Sequence, residues 1–307
     1  MDEILKKYVD SLDMLKIIYE PDVPLSEHTS FRIGGNADVG VYPDSGGQLT
    51  KAISSAKKNG IRYMVAGNGS NLLFDDAGYR GAVIFTKKIC DISVSGTVIS
   101  AGAGASLLAL ASVARKNGLS GIEFAYGIPG SCGGAVCMNA GAYGGELADV
   151  VKTVTLYDSE CDDIVKFENK DMCFSYRKSI VGNGERYTVL SVDLQLEAAD
   201  VNAISEKMNE FMRRRVEKQP LNYPSAGSVF KRSAPDVYVG KMIEESGLKG
   251  YSVGGAEVSK KHAGFIVNRG GATSHDVCLL IEHIQNTIFK NYGIRLECEI
   301  RRIPEKQ

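Results

Sequence analysis

Apolar residues recur along the chain with two different periods, one typical of helices and one typical of strands. Helices are predicted at residues 2–15, 47–59, 106–117, 201–216, 237–246 and from 273 onward. Strands are predicted at residues 39–42, 62–67, 82–85, 91–95, 97–101, 151–158, 187–196, 264–268 and 294–303. This mixture of elements is that of an α+β protein.

Several predicted helix ends carry residues that cap helices. Ser106 stands where an N-cap is expected, and Gly60 and Gly118 directly follow predicted helices, where a residue with positive φ ends them. Thr273 and Asp276 have the spacing of a capping box, in which each side chain bonds the other residue's backbone N–H. Local chemistry alone therefore sets these boundaries.

The most unusual part of the chain is the glycine-rich stretch from Gly121 to Glu146, GIEFAYGIPGSCGGAVCMNAGAYGGE. Eight of its residues are glycine, and no charged side chain occurs from Phe124 to Gly145. This composition argues against a solvated face and against an ordinary packed helix. Glycine lets backbone N–H groups approach a ligand and permits positive φ, so a backbone surface for a long, flat, phosphate-bearing ligand is predicted. A buried, turn-rich crossing between two sheets is the alternative.

A second glycine-containing turn follows the strand at 62–67 and has the sequence Gly67-Asn68-Gly69-Ser70-Asn71. A strand that ends in small polar residues offers several backbone donors in one concavity, as anion-binding nests do. By itself, a hairpin explains this turn equally well. The chain contains neither G-x-G-x-x-G nor G-x-x-x-x-G-K-[ST], which excludes the Rossmann and P-loop modes of nucleotide binding.

Composition narrows the class of protein and its location. The 307 residues suggest roughly two domains, and 44% apolar with 24% charged residues is ordinary for a globular protein. The net charge of −1 gives no global attraction for nucleic acids or membranes. MDEILKKYVD lacks a signal-peptide pattern, and glycines and serines interrupt the uncharged run at 92–114, so a cytoplasmic protein is expected. Seven cysteines without a C-x-x-C pair fit free thiols better than disulfides or a zinc site.

Polar residues elsewhere are candidates for binding or catalysis. The turn at 175–179 is basic, and in isolation it is a solvated turn. The segment KQPLNYPSAGSVFKR, residues 218–232, is interpreted as a linker that ends in a functional turn, and its cations are either solvated or suited to a diphosphate. Glu297 and Glu299 point to the same face of a strand, so their spacing cannot separate them. His262 is either structural or a ligand.

The glycine-rich stretch resembles the flavin-binding signature of the UDP-N-acetylenolpyruvoylglucosamine reductase family, known as MurB. Five further motifs are similar to those of the family: T-x-F-[RK]-x-G-G from Thr29, GNGSN from Gly67, Y-R-x-S from Tyr176, K-x-P…A-G-S-[FV]-F-K from Lys218, and L-E-x-E-[VI]-R from Leu296 to Arg301. The resemblance covers nearly the whole chain. One departure is Ser233, where the family usually has proline.

The resemblance implies a two-part FAD-binding domain of the vanillyl-alcohol oxidase (PCMH) type and a C-terminal α/β substrate-binding domain. The expected segments are 1–90 and 91–218 for the two FAD-binding subdomains and 219–307 for the substrate-binding domain, whose last strand could return towards the FAD domain. The interval of 51 positions from Arg177 to Ser228 resembles the family class without an inserted substrate-capping unit. A more open sugar site is therefore expected.

The resemblance also assigns roles to individual residues. Arg177, Ser228 and Glu299 are implied to be catalytic, with Ser228 as the proton donor. Non-covalent FAD binding is implied for Arg32, Gly67, Asn68, Gly69, Ser70, Asn71, Gly127, Ile128, Gly130, Ser131, Gly133, Gly134, Asn139 and Gly141. Lys218, Lys231 and Arg232 are implied to bind the substrate phosphates.

The implied activity is NADPH-dependent, FAD-mediated reduction of UDP-N-acetylglucosamine enolpyruvate to UDP-N-acetylmuramate, a step of peptidoglycan and cell-wall synthesis. The expected partners are these small molecules, with no metal, nucleic acid or membrane, in a monomer or weak oligomer. A related flavin oxidase and a non-catalytic nucleotide-sugar sensor are the alternatives. Only His28 precedes His262, which argues against a histidyl-linked flavin, and the presence of all three catalytic residue types argues against a sensor.

Overall fold

The structure is a computed structural model that describes residues 3–182, 184, 186–232 and 238–305. The helices in these residues are α1 Glu3–Met14, α2 Gly46–Lys58, α3 Leu107–Lys116, α4 Cys132–Met138, α5 Val201–Lys218, α6 Val239–Glu245 and α7 Ser274–Tyr292. The strands are β1 Ile18–Pro24, β2 Asn36–Tyr42, β3 Tyr63–Ala66, β4 Leu72–Phe74, β5 Tyr79–Phe85, β6 Ile92–Ser95, β7 Val98–Gly102, β8 Leu119–Ser120, β9 Gly141–Ala142, β10 Gly145–Glu146, β11 Val151–Asp158, β12 Asp163–Glu168, β13 Tyr187–Gln195, β14 Glu197–Ala198, β15 Ser252–Val253, β16 Ala256–Val258, β17 Ile266–Asn268 and β18 Arg301–Ile303.

The capping signals in the sequence are confirmed. The hydroxyl of Ser106 accepts the backbone N–H of Ala109 at 3.1 Å, and Gly118 follows α3 with φ of 63°. The capping box at the start of α7 is complete, because Thr273 and Asp276 each accept the other's backbone N–H at 3.0 Å. These bonds satisfy donors that a helix start would otherwise leave unpaired.

The chain divides into two compact units, and each unit is built from separated segments. The first consists of the segments up to Pro21, Asp38–Asn68 and Gly81–Arg215, and the second consists of Asp22–Ala37, Gly69–Arg80 and the chain from Val216 onward. The second unit thus includes two N-terminal segments as well as the C-terminal region. Contiguous segments of sequence are therefore not the compact units of this fold.

Part of the first unit is a four-stranded sheet with the order β1-β2-β5-β3, in which β3 and β5 run parallel. The amphipathic faces of α1 and α2 supply a shared core with this sheet. Tyr8 and Leu12 of α1 and Leu49 and Ile53 of α2 are fully buried together with Val39 of β2. This core explains the apolar periodicity of the first 60 residues.

The rest of the first unit is an antiparallel sheet with the order β12-β11-β13-β7-β6. Its inner face alternates in the manner of a half-buried sheet, with Val154 and Leu156 of β11 and Val192 and Leu194 of β13 buried. Helix α4 lies against β13 and β7. The glycine-rich stretch is thereby supported by the core of this sheet.

The second unit contains the antiparallel sheet β15-β16-β17, against which α7 packs, and a parallel pair of β18 and β4. The start of α7 is fixed by Asp76, whose carboxylate accepts the backbone N–H groups of Ser274 and His275 at 2.7 and 2.9 Å. The helix dipole favours an anion at this position. The unit therefore holds its early segment and its C-terminal helix together.

Two predictions about local structure are wrong. The glycine-rich stretch does contain a packed helix, α4, with Cys132, Ala135 and Val136 buried. The last strand was expected over 294–303 but is formed only by β18, because Phe230 bridges Cys298 while Arg301 begins a new pairing with Leu72. Ser233 lies outside the described residues.

Candidate active site

The glycine-rich stretch forms a loop that leads into the two-turn helix α4. Ser131 is the N-cap of this helix, and its hydroxyl accepts the backbone N–H of Gly134 at 3.4 Å. Gly133 donates its N–H to Ala103 at 2.8 Å. Gly133 and Gly134 have helical backbone angles, so they are not required for positive φ; Gly127, with φ of 93°, is.

The two glycine-containing segments meet within the first unit. Asn68 donates from its side chain to the carbonyl of Pro129 at 3.1 Å. A Cβ added at Gly67 would lie 2.0 Å from the Ser131 hydroxyl oxygen, and one added at Gly134 would lie 3.4 Å from it. We call this group, Gly67, Asn68, Pro129, Ser131 and Gly134, the glycine cradle. At Gly67 and Gly134, the glycine cradle presents backbone where any larger residue would present a side chain.

A buried carboxylate supports the entrance to the glycine-rich loop. Glu123 accepts the hydroxyl of Ser120 at 2.6 Å and the N–H of Gly121 at 3.0 Å, and Lys207 lies 3.5 Å away. Burial by itself would raise the pKa of Glu123, but these donors outweigh it and lower the pKa. Glu123 is therefore a charged anchor that holds the loop to α5.

Arg177 lies at the tip of a tight turn in which the backbones of Ser175 and Lys178 exchange two hydrogen bonds at 3.0 and 3.1 Å. Its φ of 55° is in the left-handed region that usually belongs to glycine or asparagine. The guanidinium donates to the carbonyl of Gly141 at 3.3 Å and lies 5.0 Å from the ring centre of Tyr176. The structure thus brings this candidate next to the glycine-rich stretch, as the sequence could not show.

Asn139 is a correction to the sequence-based assignment of cofactor contacts. It is 0% exposed, and its side chain accepts from the N–H of Ala148 at 2.9 Å and donates to the carbonyl of Ser175 at 3.2 Å. A residue with no accessible surface cannot touch a ligand, so Asn139 belongs to the support of the site. The glycine-rich sequence around Asn139 suggested a contact with the cofactor, because segments that support a site and segments that line it have the same composition.

Arg215 is a buried residue for which the sequence predicted no role. This arginine is 7% exposed, bonds Tyr143, and lies under Gly127, where an added Cβ would be 3.2 Å from the arginine Cδ. Burial lowers its pKa. The available signal was the spacing of α5, since Ile204, Met208, Phe211 and Arg215 recur at helical intervals on the buried face.

In the second unit, the segments that carry Ser228 and Glu299 pair with each other in a short ladder outside the named strands. Glu299 donates its backbone N–H to Val229 at 2.7 Å, and Val229 donates to Gly264 at 2.9 Å. Ser228 bridges Phe265 and, like Glu299, is half-buried. Ser228 is therefore the immediate chain neighbour of Val229, the residue whose carbonyl bonds Glu299.

The same ladder separates the two glutamates that sequence alone could not distinguish. The carboxylate of Glu297 is 73% exposed and forms an ion pair with Lys231. Glu299 is instead half-buried, and its backbone carbonyl accepts the side-chain amide of Asn71 at 3.0 Å. Glu297 thus neutralises a cation at the surface, whereas Glu299 is a half-buried residue whose backbone bonds Val229 and Asn71.

Four of the predicted cofactor residues, Arg32, Gly69, Ser70 and Asn71, lie in the second unit. Arg32 has φ of 56°, and Asn268 donates to the carbonyls of Phe31 and Arg32 at 3.2 and 3.4 Å. Gly69 has φ of 64°, and a Cβ there would lie 2.1 Å from the carbonyl oxygen of His28. Ser70 lies between Gly69 and Asn71 in the same segment. Glycine at 69 is therefore explained by a close backbone approach within this unit.

The candidate phosphate ligands of the second unit differ in their surroundings. Lys218 and Arg232 are exposed, whereas Lys231 is engaged with Glu297. His262 accepts the N–H of Gly264 through Nδ1 at 3.1 Å and packs edge-on against Phe265. Burial, followed by the charges of Lys249 and Lys218, lowers the pKa of His262 although Glu244 opposes this. His262 is thus a neutral, structurally bonded residue at neutral pH.

Two family models match the chain. The model of an FAD binding domain matches residues 37–165, and the model of the C-terminal domain of UDP-N-acetylenolpyruvoylglucosamine reductase matches residues 219–303. The fold and the glycine cradle therefore define an α+β flavoprotein with FAD as its cofactor. The expected α+β fold, with an FAD-binding domain followed by a C-terminal domain of the reductase family, is confirmed.

Similar proteins cover nearly the whole chain. A UDP-N-acetylenolpyruvoylglucosamine reductase of Caldanaerobacter subterraneus subsp. tengcongensis is 49% identical over 92% of this chain and 93% of its own length. That of Clostridium novyi is 43% identical over 99% of this chain and 97% of its own. The crystal structure of the MurB reductase from Thermus caldophilus, 32% identical, superposes with a TM-score of 0.79 over 94% of this chain and 99% of that one. The chain belongs to the UDP-N-acetylenolpyruvoylglucosamine reductase family.

Three further findings concern the environment of the site. Among the described residues, no helix has the length and apolar character needed to cross a membrane. The same residues contain no group of histidine, cysteine and carboxylate side chains arranged for a metal ion. All seven cysteines are free thiols.

Proposed function

We propose that the chain catalyses the NADPH-dependent reduction of UDP-N-acetylglucosamine enolpyruvate to UDP-N-acetylmuramate, with FAD as the intermediate carrier, in peptidoglycan precursor synthesis. Relatives named as this reductase match more than 90% of the chain. The structural observation that carries the proposal is the ladder that holds Ser228 and Glu299 on either side of the hydrogen bond at Val229. An acid and a carboxylate held this rigidly suit proton delivery to carbon.

The glycine cradle fits the pyrophosphate of FAD. Gly134 is exposed and Gly67 is partly exposed around the buried Ser131 hydroxyl, so bare backbone faces solvent at these two positions. Such a surface lets phosphate oxygens approach backbone donors closely. We assign the other cofactor contacts to Gly127, Ile128, Gly130, Gly133 and Gly141 in the first unit and to Arg32, Gly69, Ser70 and Asn71 in the second. FAD when bound supplies a hydride acceptor and donor, and none of the residues assigned to it provides a histidyl tether.

The catalytic roles follow from the chemistry of the substrate. Hydride addition to the terminal carbon of the enolpyruvyl group leaves negative charge on its neighbour, delocalised into the carboxylate. A positioned guanidinium stabilises such charge, and Arg177 supplies one. The Ser228 hydroxyl is a weak acid, but it can protonate a carbanion that is far more basic and is held in place. Glu299 orients the developing enolate through a hydrogen bond.

Cations of the second unit bind the sugar nucleotide in this proposal. Lys218 and Arg232 are exposed, and in this proposal they bind the diphosphate together with Lys231, which exchanges Glu297 for a substrate phosphate. The interval between Arg177 and Ser228 is largely occupied by β13, β14 and α5, consistent with a class that has no inserted capping unit. Segments 1–90 and 91–218 would hold FAD, and segment 219–307 would hold the sugar nucleotide. The protein would be a monomer or weak oligomer in the cytoplasm, a compartment in which free thiols persist.

The test separates the two half-reactions by anaerobic stopped-flow absorbance of the flavin. Ser228→Ala should be reduced by NADPH at nearly the parent rate, while reoxidation by the enolpyruvyl sugar slows by at least about 10²-fold, the lower end for general acid catalysis. Ser228→Cys should restore part of the loss, and Glu297→Gln should do far less harm than Glu299→Gln.

Ser225→Ala is the matched control, because Ser225 makes its bonds to Ser30 through its backbone and lies three residues before Ser228. Equal slowing of both half-reactions in Ser228→Ala would make the serine a flavin-positioning residue. A purified yellow protein that does not oxidise NADPH when the enolpyruvyl sugar is added would overturn the proposed activity itself.

A further inference from the structure

Asn139 joins the end of α4 to the turn that carries Arg177. We propose that Asn139 is a positioning residue for Arg177: it fixes the guanidinium against the glycine-rich stretch and contacts neither FAD nor substrate. This inference rests on the proposed function, in which Arg177 stabilises the developing negative charge. Asn139 is 0% exposed, so support of neighbouring residues is the only role available to it.

Each end of the Asn139 amide bonds a different segment. The oxygen accepts the N–H of Ala148, and the nitrogen donates to the carbonyl of Ser175, the first residue of the turn. That carbonyl also accepts the N–H of Lys178, which closes the turn. Asn139 therefore fixes the same carbonyl on which the geometry of Arg177 depends.

A second tie holds the other side of the turn. The Ser179 hydroxyl donates to the carbonyl of Cys137 at 3.0 Å, and Ser179 is itself buried. Together with the bond from Arg177 to Gly141, these contacts connect residues 175–179 to the chain from Cys137 to Gly141. The turn is thus fixed at its start, its tip and its end.

Asparagine is the residue that meets both requirements of this position. Its φ of 41° is left-handed, which only glycine, asparagine and aspartate accept readily, and it ends α4. Glycine would supply the backbone angle without the tie. Aspartate would supply the angle and an acceptor for Ala148, but in its charged form it has no donor for Ser175.

Loss of the tie should move Arg177 because its backbone is held in a strained conformation. A non-glycine residue at φ of 55° persists only when surrounding contacts enforce it. Without the bond to Ser175, the turn can relax and carry the guanidinium away. Misplacement of a catalytic group by about 1 Å costs about 10²-fold in rate.

The test compares Asn139→Gly with Asn169→Ala in the FAD-bound enzyme. Asn169 is a matched control, since its side chain ties the carbonyls of Ala148 and Val151 at 2.8 and 2.6 Å and bonds nothing in the turn. Asn139→Gly should keep FAD and NADPH reduction within about threefold of the parent, while reoxidation by the enolpyruvyl sugar slows about 10²-fold. In an Arg177→Ala background the same substitution should add almost nothing.

Asn139→Asp supplies a second variant and a pH readout. Burial favours the neutral acid, which can donate to Ser175 as the amide does. Reoxidation by Asn139→Asp should therefore recover towards the parent rate as pH falls. In the enzyme without FAD, hydrogen exchange of the Lys178 amide should rise in Asn139→Gly and not in Asn169→Ala.

The outcomes separate this inference from the proposed function. If Arg177→Ala leaves reoxidation unchanged, the catalytic assignment of Arg177 fails. If Arg177→Ala slows reoxidation but Asn139→Gly does not, only the positioning role of Asn139 fails. Equal slowing by Asn139→Gly in the parent and in the Arg177→Ala background would also overturn it, because the asparagine would then act independently of the arginine.

Discussion

Gly67→Ala is expected to disrupt the glycine cradle through a single contact. The added Cβ would lie 2.0 Å from the Ser131 hydroxyl oxygen and 3.0 Å from the Ser131 Cβ. Serine can avoid the first overlap by rotating its hydroxyl away, but this removes the N-cap bond to Gly134. The second contact remains after that rotation and requires the backbone to shift.

The expected loss can be estimated from these two steps. Removal of a serine N-cap typically costs about 1 kcal/mol, and overpacking of a well-filled site costs about 1–3 kcal/mol. Gly67→Ala should therefore lower the free energy of unfolding by about 2–4 kcal/mol. Ser131→Gly removes the colliding atoms. As a change of N-cap residue, it should lower the free energy of unfolding by only about a few tenths of a kcal/mol. The double variant should thus be more stable than Gly67→Ala alone.

The chain contains no tryptophan, so urea unfolding of the FAD-free protein is best followed by far-UV circular dichroism. The double-mutant cycle should give a favourable coupling of about 1–3 kcal/mol between the two substitutions. Additive losses would show that the collision with Ser131 is not the reason for glycine at this position. A Gly67→Ala protein as stable as the parent would refute the geometry of the cradle as a whole.

Three further substitutions test other parts of the site. Gly134→Val should fold normally, because its Cβ would meet only the Ser131 hydroxyl at 3.4 Å, but it should lose FAD; full flavin occupancy after gel filtration would contradict the cradle. Arg177→Asn should stay within about 1 kcal/mol of the parent, since asparagine accepts the left-handed backbone, yet slow reoxidation by about 10²–10³-fold; a normal rate would remove Arg177 from the mechanism. The lowered pKa of His262 means that the unfolded state binds a proton first as pH falls below 6.5, so stability should decline there. His262→Gln should flatten that decline in urea unfolding, and an unchanged pH slope would show that the histidine is not buried as a neutral ring.

Local signals in the sequence predicted the elements whose ends are set by local chemistry. Ser106, Gly118, Thr273 and Asp276 cap helices through bonds spanning a few residues, and each was correctly interpreted. The strand predicted at 187–196 was also correct, because the alternating burial from Leu190 to Gln195 leaves a period of two in the sequence. Such features need no knowledge of distant partners.

Features that depend on distant partners were beyond the sequence. The last strand was overextended, since an apolar pattern cannot show that Cys298 and Arg301 pair with different segments, Phe230 and Leu72. Helix α4 was missed because its glycines lower helix propensity, whereas the core residues of the antiparallel sheet stabilise it. Glu297 and Glu299 could be separated only once the ion pair of Lys231 was known.

The residues at positive φ show how much of the backbone geometry composition can predict. Glycine content predicted positive φ in the stretch from Gly121 to Glu146, yet non-glycine residues there and in two candidate segments also adopt it: Arg32, Asn139, Tyr143 and Arg177. An arginine at positive φ carries no local signature, because the conformation is enforced by contacts from elsewhere in the fold. At Arg177 those contacts come from Asn139, Ser179 and Gly141, which are 36 or more residues away except for Ser179. A guanidinium held in this way is oriented before substrate arrives, because the contacts that enforce the strained backbone also fix its direction.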